Sequence, residues 1–130
     1  MSMPRPAVKA LIERDGRLLL LEQDTGDGVM WTLPGGKVEF GEAPRQALRR
    51  EVTEEVSGSV KIGVPVGVYD FQYDWTHVVV TVFECEWGGG EVDISSNPAS
   101  ERILSAAWVR PEEAVGYPMN AGLVEVLESR

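Results

Sequence analysis

Residues 35–58 decide the fold, and they read GGKVEFGEAPRQALRREVTEEVSG. The segment begins with a glycine pair, which permits a tight turn, and then changes to a pattern in which apolar residues recur at helical spacing. Pro44 suits the first turn of a helix, where its missing N–H costs nothing. We therefore predict a loop followed by a helix from Pro44 to about Val56. Ser57-Gly58 is expected to end that helix.

The predicted helix carries its acidic side chains close to its apolar side. At about 100° per residue, Leu48, Val52 and Val56 form one apolar stripe. Three glutamates point into the flank of that stripe: Glu51, Glu54 and Glu55. These carboxylates are therefore expected to lean toward protein rather than toward water.

Such a cluster of carboxylates needs a compensating charge. Burying an ionised carboxylate without compensation costs several kcal/mol, and neighbouring carboxylates repel one another. Protonation would relieve one glutamate and an arginine would pair with another, whereas a divalent cation with oxygen ligands satisfies all three. Magnesium is the leading candidate, because substrate phosphates usually complete its coordination shell. The alternative is a solvated helix face on which Glu51 and Glu55 pair with nearby arginines.

The rest of the chain alternates short apolar runs with turn residues, which is typical of strands. The runs 7–12 and 17–21 flank Asp15-Gly16 and predict a hairpin. Residues 31–36 predict a short strand that ends in a glycine turn. The further predictions are one or two strands at 60–73 interrupted near Pro65, strands at 77–87 and 104–109, a helical turn at 111–115 and a helix at 121–128. We expect a single domain over residues 1–130.

Composition argues against several classes of protein. The formal net charge is −9 and no basic patch is evident, which argues against nucleic-acid binding. No apolar run of about 18 residues is present, so we predict no membrane span. Residues 1–4 show neither a basic region nor a cleavage signature, and a cytoplasmic location is the default expectation. The single cysteine, Cys85, lies in an apolar run and is expected to be a buried hydrophobic residue.

The helix and the loop before it resemble the signature of the Nudix hydrolase family, and in particular its MutT-like members. That signature is Gly, five residues, Glu, seven residues, then Arg-Glu-aliphatic-any-Glu-Glu-any-Gly-aliphatic. The matching residues here are Gly36, Glu42, Arg50, Glu51, Val52, Glu54 and Glu55. The match ends early, because Ser57 and Gly58 stand where the family has glycine and an aliphatic residue. We expect Gly58 to supply the left-handed residue that ends the helix.

The resemblance implies an α+β fold, an α/β/α sandwich with a mixed sheet between helices. It also implies substrates in which a nucleoside diphosphate is linked to another moiety, cleaved with Mg²⁺ or Mn²⁺. The implied metal ligands are Glu51, Glu54 and Glu55 with the backbone carbonyl of Gly35 or Gly36. Glu51 is the implied general base. Arg50 is expected to orient a glutamate, and Glu42 to anchor the loop from behind the ligands.

Other residues are weaker candidates for the site. Glu101 precedes the last strand, where this family can supply one more carboxylate. His77 is a candidate phosphate contact, with a structural role as the alternative. Arg5, Arg17 and Lys37 are also candidate phosphate contacts, and Lys37 is favoured because it adjoins the glycine pair. Each of the aromatic residues Phe71, Tyr73 and Trp75 is expected to pack in the core, with stacking on a nucleobase as the alternative.

Two classes of function follow from the sequence. The first is a Mg²⁺-dependent pyrophosphohydrolase acting on a small nucleotide, for example a nucleoside triphosphate, with ADP-ribose and nucleotide sugars left open. The second is a nucleotide-binding module that senses a ligand without turning it over. The intact glutamates favour the enzyme. The sequence leaves the oligomeric state open, although small members of the family often form homodimers.

Overall fold

The computed structural model describes residues 3–130, so Met1 and Ser2, at the start of the segment searched for an export signal, lie outside the described residues. The strands are β1 (Arg5–Arg14), β2 (Arg17–Asp24), β3 (Val29–Thr32), β4 (Gly35–Lys37), β5 (Val60–Tyr73), β6 (Thr76–Trp87) and β7 (Ile103–Val109). The helices are α1 (Pro44–Val56), α2 (Pro111–Ala114) and α3 (Ala121–Glu128), with a 3-10 turn at Ala99–Glu101. Within this part of the chain, no helix is both long enough and apolar enough to cross a membrane.

The seven strands form one mixed sheet in the order β3-β2-β1-β6-β5. β1 and β6 run parallel, and the other paired strands run antiparallel. β1 and β2 pair only at the hairpin end, where Asp15 and Gly16 adopt positive φ. Beyond that point the two strands diverge, so that β4 pairs with β1 while β3 and β7 pair with β2. The carboxylates of α1 reach the part of β4 that lines this divergence.

Helices cover both faces of the sheet, each over its own apolar core. On one face α1 buries its predicted stripe, and Leu48, Val52 and Val56 are fully buried. On the other face α3 buries Leu123 and Val126 beneath it. The predicted α/β/α sandwich is therefore confirmed. Cys85 lies in the α1-side core as expected, and burial raises the pKa of its thiol to about 11.

One predicted strand is wrong. Residues 31–36 form two strands rather than one, because the chain bends at Leu33 and Pro34 and then pairs again as β4. The glycine pair lies inside β4 and does not form the turn. A Cβ on Gly35, whose φ is +143°, would lie 2.0 Å from the carbonyl oxygen of Val8. Glycine is required here because the backbones of β1 and β4 approach each other closely.

The segment 60–73, predicted as one or two strands, is a single strand, and its pairing register with β6 shifts around Pro65.

The end of α1 also differs from the prediction. Ser57, not Gly58, adopts the left-handed conformation, with φ 57° and ψ 33°, and its N–H donates to the carbonyl oxygen of Thr53. Ser57 thus occupies the family's glycine position in both sequence and conformation. Gly58 serves a different purpose, because a Cβ there would lie 2.0 Å from the indole ring of Trp87.

Candidate active site

Two of the three acidic side chains on the flank of α1 are buried as the sequence predicts, and the third is not. Glu51 is 4% exposed and Glu55 is 2% exposed, whereas the side chain of Glu54 is 38% exposed. Each of Glu51, Glu55 and Glu101 offers a carboxylate oxygen, and these three oxygens lie within 4.8 Å of one another. We call this group the carboxylate cluster. Glu54 lies outside the cluster.

Two contacts bring Glu101 to the cluster from the turn before β7. The side-chain amide of Gln23, on β2, donates to the carbonyl oxygen of Glu101 at 2.9 Å. The backbone N–H of Asp24 donates to the carbonyl oxygen of Arg102 at 3.0 Å. β2 therefore holds the turn in place, and the turn aims its carboxylate at α1.

Glu55 is the most enclosed of the acids. The N–H of Gly35 donates to its Oε1 at 2.7 Å, which ties α1 to β4. Burial raises the pKa of Glu55 to about 8, and the nearby ammonium of Lys9 and the Gly35 N–H only partly oppose this rise. Ionisation of this buried carboxylate therefore costs free energy unless a positive charge is supplied nearby.

Glu51 retains one oxygen without a partner. Its Oε1 accepts from Nη1 of Arg50 at 3.0 Å, while its Oε2 is buried and has no hydrogen-bond partner among the described residues. Burial raises the pKa of Glu51, and the charge of Glu101 adds to that effect. Gly36 leaves the space for this carboxylate, since a Cβ there would lie 2.6 Å from its atoms.

Arg50 holds the acids of the loop and helix together. Its Nε and Nη2 donate to the two carboxylate oxygens of Glu42 at 2.8 and 2.9 Å. Its Nη1 also reaches Glu54 at 3.4 Å, and Nη2 donates to the carbonyl oxygen of Lys37 at 3.1 Å. The hydrogen bonds from Arg50 lower the pKa of Glu42 to about 2. Every nitrogen of the guanidinium group is therefore engaged within the protein.

The carboxylate cluster opens into a cavity of about 560 Å³. The acidic residues that line it include Glu51, Glu54 and Glu101, and the basic residues include Arg5, Lys9 and Lys37. A cavity with both signs of charge suits a ligand that is itself anionic but binds together with a cation.

Two sequence candidates lie elsewhere. Nε2 of His77 lies 2.8 Å from a carboxylate oxygen of Asp70 near the tip of the β5–β6 hairpin, and His77 does not line the cavity. The hydrogen bond from His77 lowers the pKa of Asp70. Arg17 lies at the hairpin end of β2, opposite Arg14, and is also absent from the cavity lining.

The expectation that the aromatic residues of the β5–β6 hairpin, Phe71, Tyr73 and Trp75, pack in the core is wrong for two of the three. Tyr73 is 51% exposed and Trp75 is 71% exposed, and their rings stack with centroids 5.5 Å apart. Phe71 packs against the α3-side core and lines the active-site cavity. A second cavity of about 150 Å³ adjoins the first, and Trp31, Phe71 and Tyr73 line it.

Sequence reasoning missed several residues that line these cavities, among them Lys9, Trp31 and Asn120. Lys9 carried a detectable signal, because it is the charged residue in the middle of an otherwise apolar run, Ala7 to Ile12. Asn120 was detectable as the residue before the terminal helix, and its Oδ1 accepts from the N–H groups of Gly122 and Leu123.

The carboxylate cluster fits a hard divalent cation. Its donors are all carboxylate oxygens, which Mg²⁺ and Mn²⁺ prefer, and the unpartnered Oε2 of Glu51 is a ligand atom for which the described residues offer no other use. The same three groups would be costly to bury together without a cation.

Comparison with known proteins agrees with this geometry. The family model for the NUDIX domain matches residues 3–129. The nucleoside triphosphatase NudI of Escherichia coli (strain SE11) is 31% identical in an alignment that covers 95% of this chain and 94% of that protein.

Two solved structures show the same fold. The MutT protein from Methanosarcina mazei Go1 superposes with a TM-score of 0.85 at 27% identity, covering 97% of this chain and 91% of that one. The MutT NUDIX hydrolase from Burkholderia pseudomallei gives a TM-score of 0.80 at 27% identity over 98% of both chains. With the signature residues, the buried glutamates and the sandwich all in agreement, the chain belongs to the Nudix hydrolase family.

Proposed function

We propose that the protein hydrolyses a diphosphate linkage in a nucleoside triphosphate, with Mg²⁺ as its cofactor and Mn²⁺ as a substitute. The observation that carries the proposal is the carboxylate cluster, in which Glu51 and Glu55 are buried and Oε2 of Glu51 has no partner among the described residues. The NudI relatives are nucleoside triphosphatases by name, which supports the choice among nucleotides.

Glu51, Glu55 and Glu101 would hold the cation. Glu54 and the carbonyls of Gly35 and Gly36 stay predicted ligands, although the carbonyl oxygen of Gly35 already accepts from Lys9 at 3.2 Å. When bound, the cation neutralises charge on the phosphate oxygens and lowers the pKa of water.

Glu51 is proposed to act as the general base for the attacking water as well as to hold the cation. Arg50 donates to Oε1 of Glu51 and fixes the orientation of this carboxylate, which leaves Oε2 to face the cation and its bound water. Arg50 acts through Glu51 and Glu42 rather than on the phosphates, because its donors are already engaged.

The second cavity is proposed to bind the nucleoside. Trp31, Phe71 and Tyr73 offer aromatic faces on which a base can stack. Asn120 uses its Oδ1 to cap α3, which leaves its NH₂ group for the edge of a base.

The predicted single domain over residues 1–130, a cytoplasmic location and a homodimer all stay predictions.

A substrate panel tests the proposal. Ribonucleoside and deoxyribonucleoside triphosphates, ADP-ribose and a nucleotide sugar would each be incubated with Mg²⁺, with Mn²⁺ or with EDTA, and the products separated by chromatography. We expect a nucleoside monophosphate and pyrophosphate from at least one triphosphate, and none in EDTA. Preferential cleavage of ADP-ribose or the sugar would replace the proposed substrate. Ligand-dependent thermal stabilisation without any product would favour the sensing module.

A further inference from the structure

Lys9 lies where an apolar residue would be expected. It stands in the middle of β1, between Ala7 and Leu11 on the same face, and both of these are buried in the α3-side core. Lys9 itself is half-buried. A lysine at such a position gives up part of its hydration, which calls for a compensating interaction that a hydrophobic residue cannot make.

The contacts within the chain do not satisfy this ammonium group. Its hydrogen bond within the described part of the chain goes to the carbonyl oxygen of Gly35 at 3.2 Å. An ammonium group has three donors, and one long bond uses one of them. Its charge also acts on Glu55, whose pKa it lowers against the effect of burial. The remaining donors are free to meet a ligand.

Lys9 also lies at the junction of the two cavities. Three residues line both the 560 Å³ cavity and the 150 Å³ cavity: Lys9, Gln23 and Phe71. Gln23 already donates to the carbonyl oxygen of Glu101, and Phe71 is apolar. We call the 560 Å³ cavity the carboxylate cavity and the 150 Å³ cavity the aromatic cavity. Lys9 is the charged one of the three residues at their boundary.

We propose that Lys9 binds the phosphate group next to the sugar of the nucleotide and so fixes the nucleotide across the two cavities. The inference rests on the proposed function, which assigns the nucleoside to the aromatic cavity and the phosphate chain to the carboxylate cavity. The bond between sugar and phosphate then crosses the boundary at Lys9. A lysine at this point can donate a charge-assisted hydrogen bond to that phosphate.

The experiment measures binding without catalysis. AMP, GMP, CMP and UMP, each paired with its own nucleoside, would be titrated in EDTA into ¹⁵N-labelled protein and followed by NMR. We expect Lys9→Gln to weaken the monophosphates about tenfold, equal to about 1.4 kcal/mol, and the nucleosides less than twofold. Lys9→Arg should restore most of the monophosphate affinity.

Two further variants serve as controls. Lys61→Gln removes the same charge from β5, outside both cavities, and should leave all affinities unchanged. Lys37→Gln tests the other lysine of the carboxylate cavity, beside the glycine pair, and should weaken the monophosphates less than Lys9→Gln.

Three results would overturn the inference. These are equal weakening of nucleoside and monophosphate by Lys9→Gln, no weakening of either, and no binding of any monophosphate by the wild type. The first would mean that Lys9 only supports β4 through Gly35. The outcome is separate from that of the substrate panel, because a protein that binds monophosphates through Lys9 but hydrolyses nothing would overturn the proposed function alone.

Discussion

The acidic side chains around α1 fall into two groups, which differ in how their negative charge is balanced. The first is Glu42, in the loop before the helix, and the second is the carboxylate cluster. In the first, the carboxylate of Glu42 accepts two hydrogen bonds from Arg50, and its pKa falls to about 2. In the second, Glu51 and Glu55 are buried beside Glu101, and the pKa values of Glu51 and Glu55 rise. Arg50 touches both groups, but it balances only the first.

Glu42 therefore has its hydrogen-bond partners within the folded chain, whereas the carboxylate cluster lacks a balancing positive charge. Glu42 and Arg50 have their partners in the folded chain, so they can hold the loop and helix in one geometry. The carboxylate cluster keeps an unpartnered buried oxygen on Glu51, which a folded protein rarely tolerates without a purpose. The four variants below test this contrast, from the largest expected effect to the smallest.

Glu51→Gln should have the largest effect. The substitution keeps the size of the side chain but removes the charge and the proton acceptor, so we expect kcat to fall about 10²–10⁴-fold with an unchanged circular dichroism spectrum. Glu125→Gln, on the exposed side of α3, removes the same charge and should retain full activity. Wild-type turnover by Glu51→Gln would remove this residue from the chemistry.

Arg50→Lys should have an intermediate effect. Lysine cannot hold both oxygens of Glu42 and one oxygen of Glu51 together, so we expect kcat/KM to fall roughly 10–100-fold. An NMR titration should also show the pKa of Glu42 rising toward its ordinary value. Arg49→Lys, at the exposed neighbouring position, is the matched control. If Arg50→Lys kept both the activity and the low pKa of Glu42, the balance assigned to Arg50 would be wrong.

Glu55→Gln should reveal the cost of the unbalanced group in the absence of metal. Burial raises the pKa of Glu55 to about 8 in the folded chain, whereas the ordinary pKa of a glutamate, near 4.5, applies to the unfolded chain. Stability in EDTA should therefore fall as the pH rises between those values. Glutamine removes that cost and still accepts from the N–H of Gly35. At pH 8 we expect its melting temperature to rise by about 4 °C or more.

Differential scanning calorimetry in EDTA from pH 5 to pH 8 checks this prediction. The wild type and Glu125→Gln should share the downward slope, and Glu55→Gln should show a flatter one. A wild-type melting temperature that rises steadily over this range would contradict the assigned state of Glu55.

Ser57→Gly should have the smallest effect and should leave both acidic groups alone. Serine in the left-handed conformation is strained, and glycine removes that strain, so we expect the free energy of unfolding to increase by about 0.5–1 kcal/mol. Activity should not change. Gly58→Ala is the opposite case, because its Cβ would collide with Trp87, and it should destabilise the protein. Urea denaturation of both variants measures the pair.

The sequence predicted what local periodicity determines. The spacing of Leu48, Val52 and Val56 fixed the buried face of α1, and the positions of Glu51 and Glu55 followed from it. The hairpin at Asp15-Gly16 was equally local. These features depend on residues within a few turns of one another, so one sequence is enough to find them.

Features that depend on distant segments were not predictable in the same way. Glu101 joins the cluster because Gln23 and Asp24 hold its turn against β2, a contact across most of the chain. Lys9 lies at the site because β1 pairs with β4. The sequence predicted a turn at the glycines of β4, so this pairing was not expected. Gly58 is required because the indole ring of Trp87, on β6, packs against it, which no pattern within the helix reveals.

The central claim is that the carboxylate cluster binds a divalent cation. The most direct measurement is an anomalous difference map from a crystal grown with Mn²⁺ and a non-hydrolysable nucleoside triphosphate analogue. We predict a peak in contact with carboxylate oxygens of Glu51 and Glu55, with Oε2 of Glu51 among its ligands. A well-ordered nucleotide with no peak at the cluster, and with Oε2 of Glu51 bonded to a protein group instead, would contradict the claim.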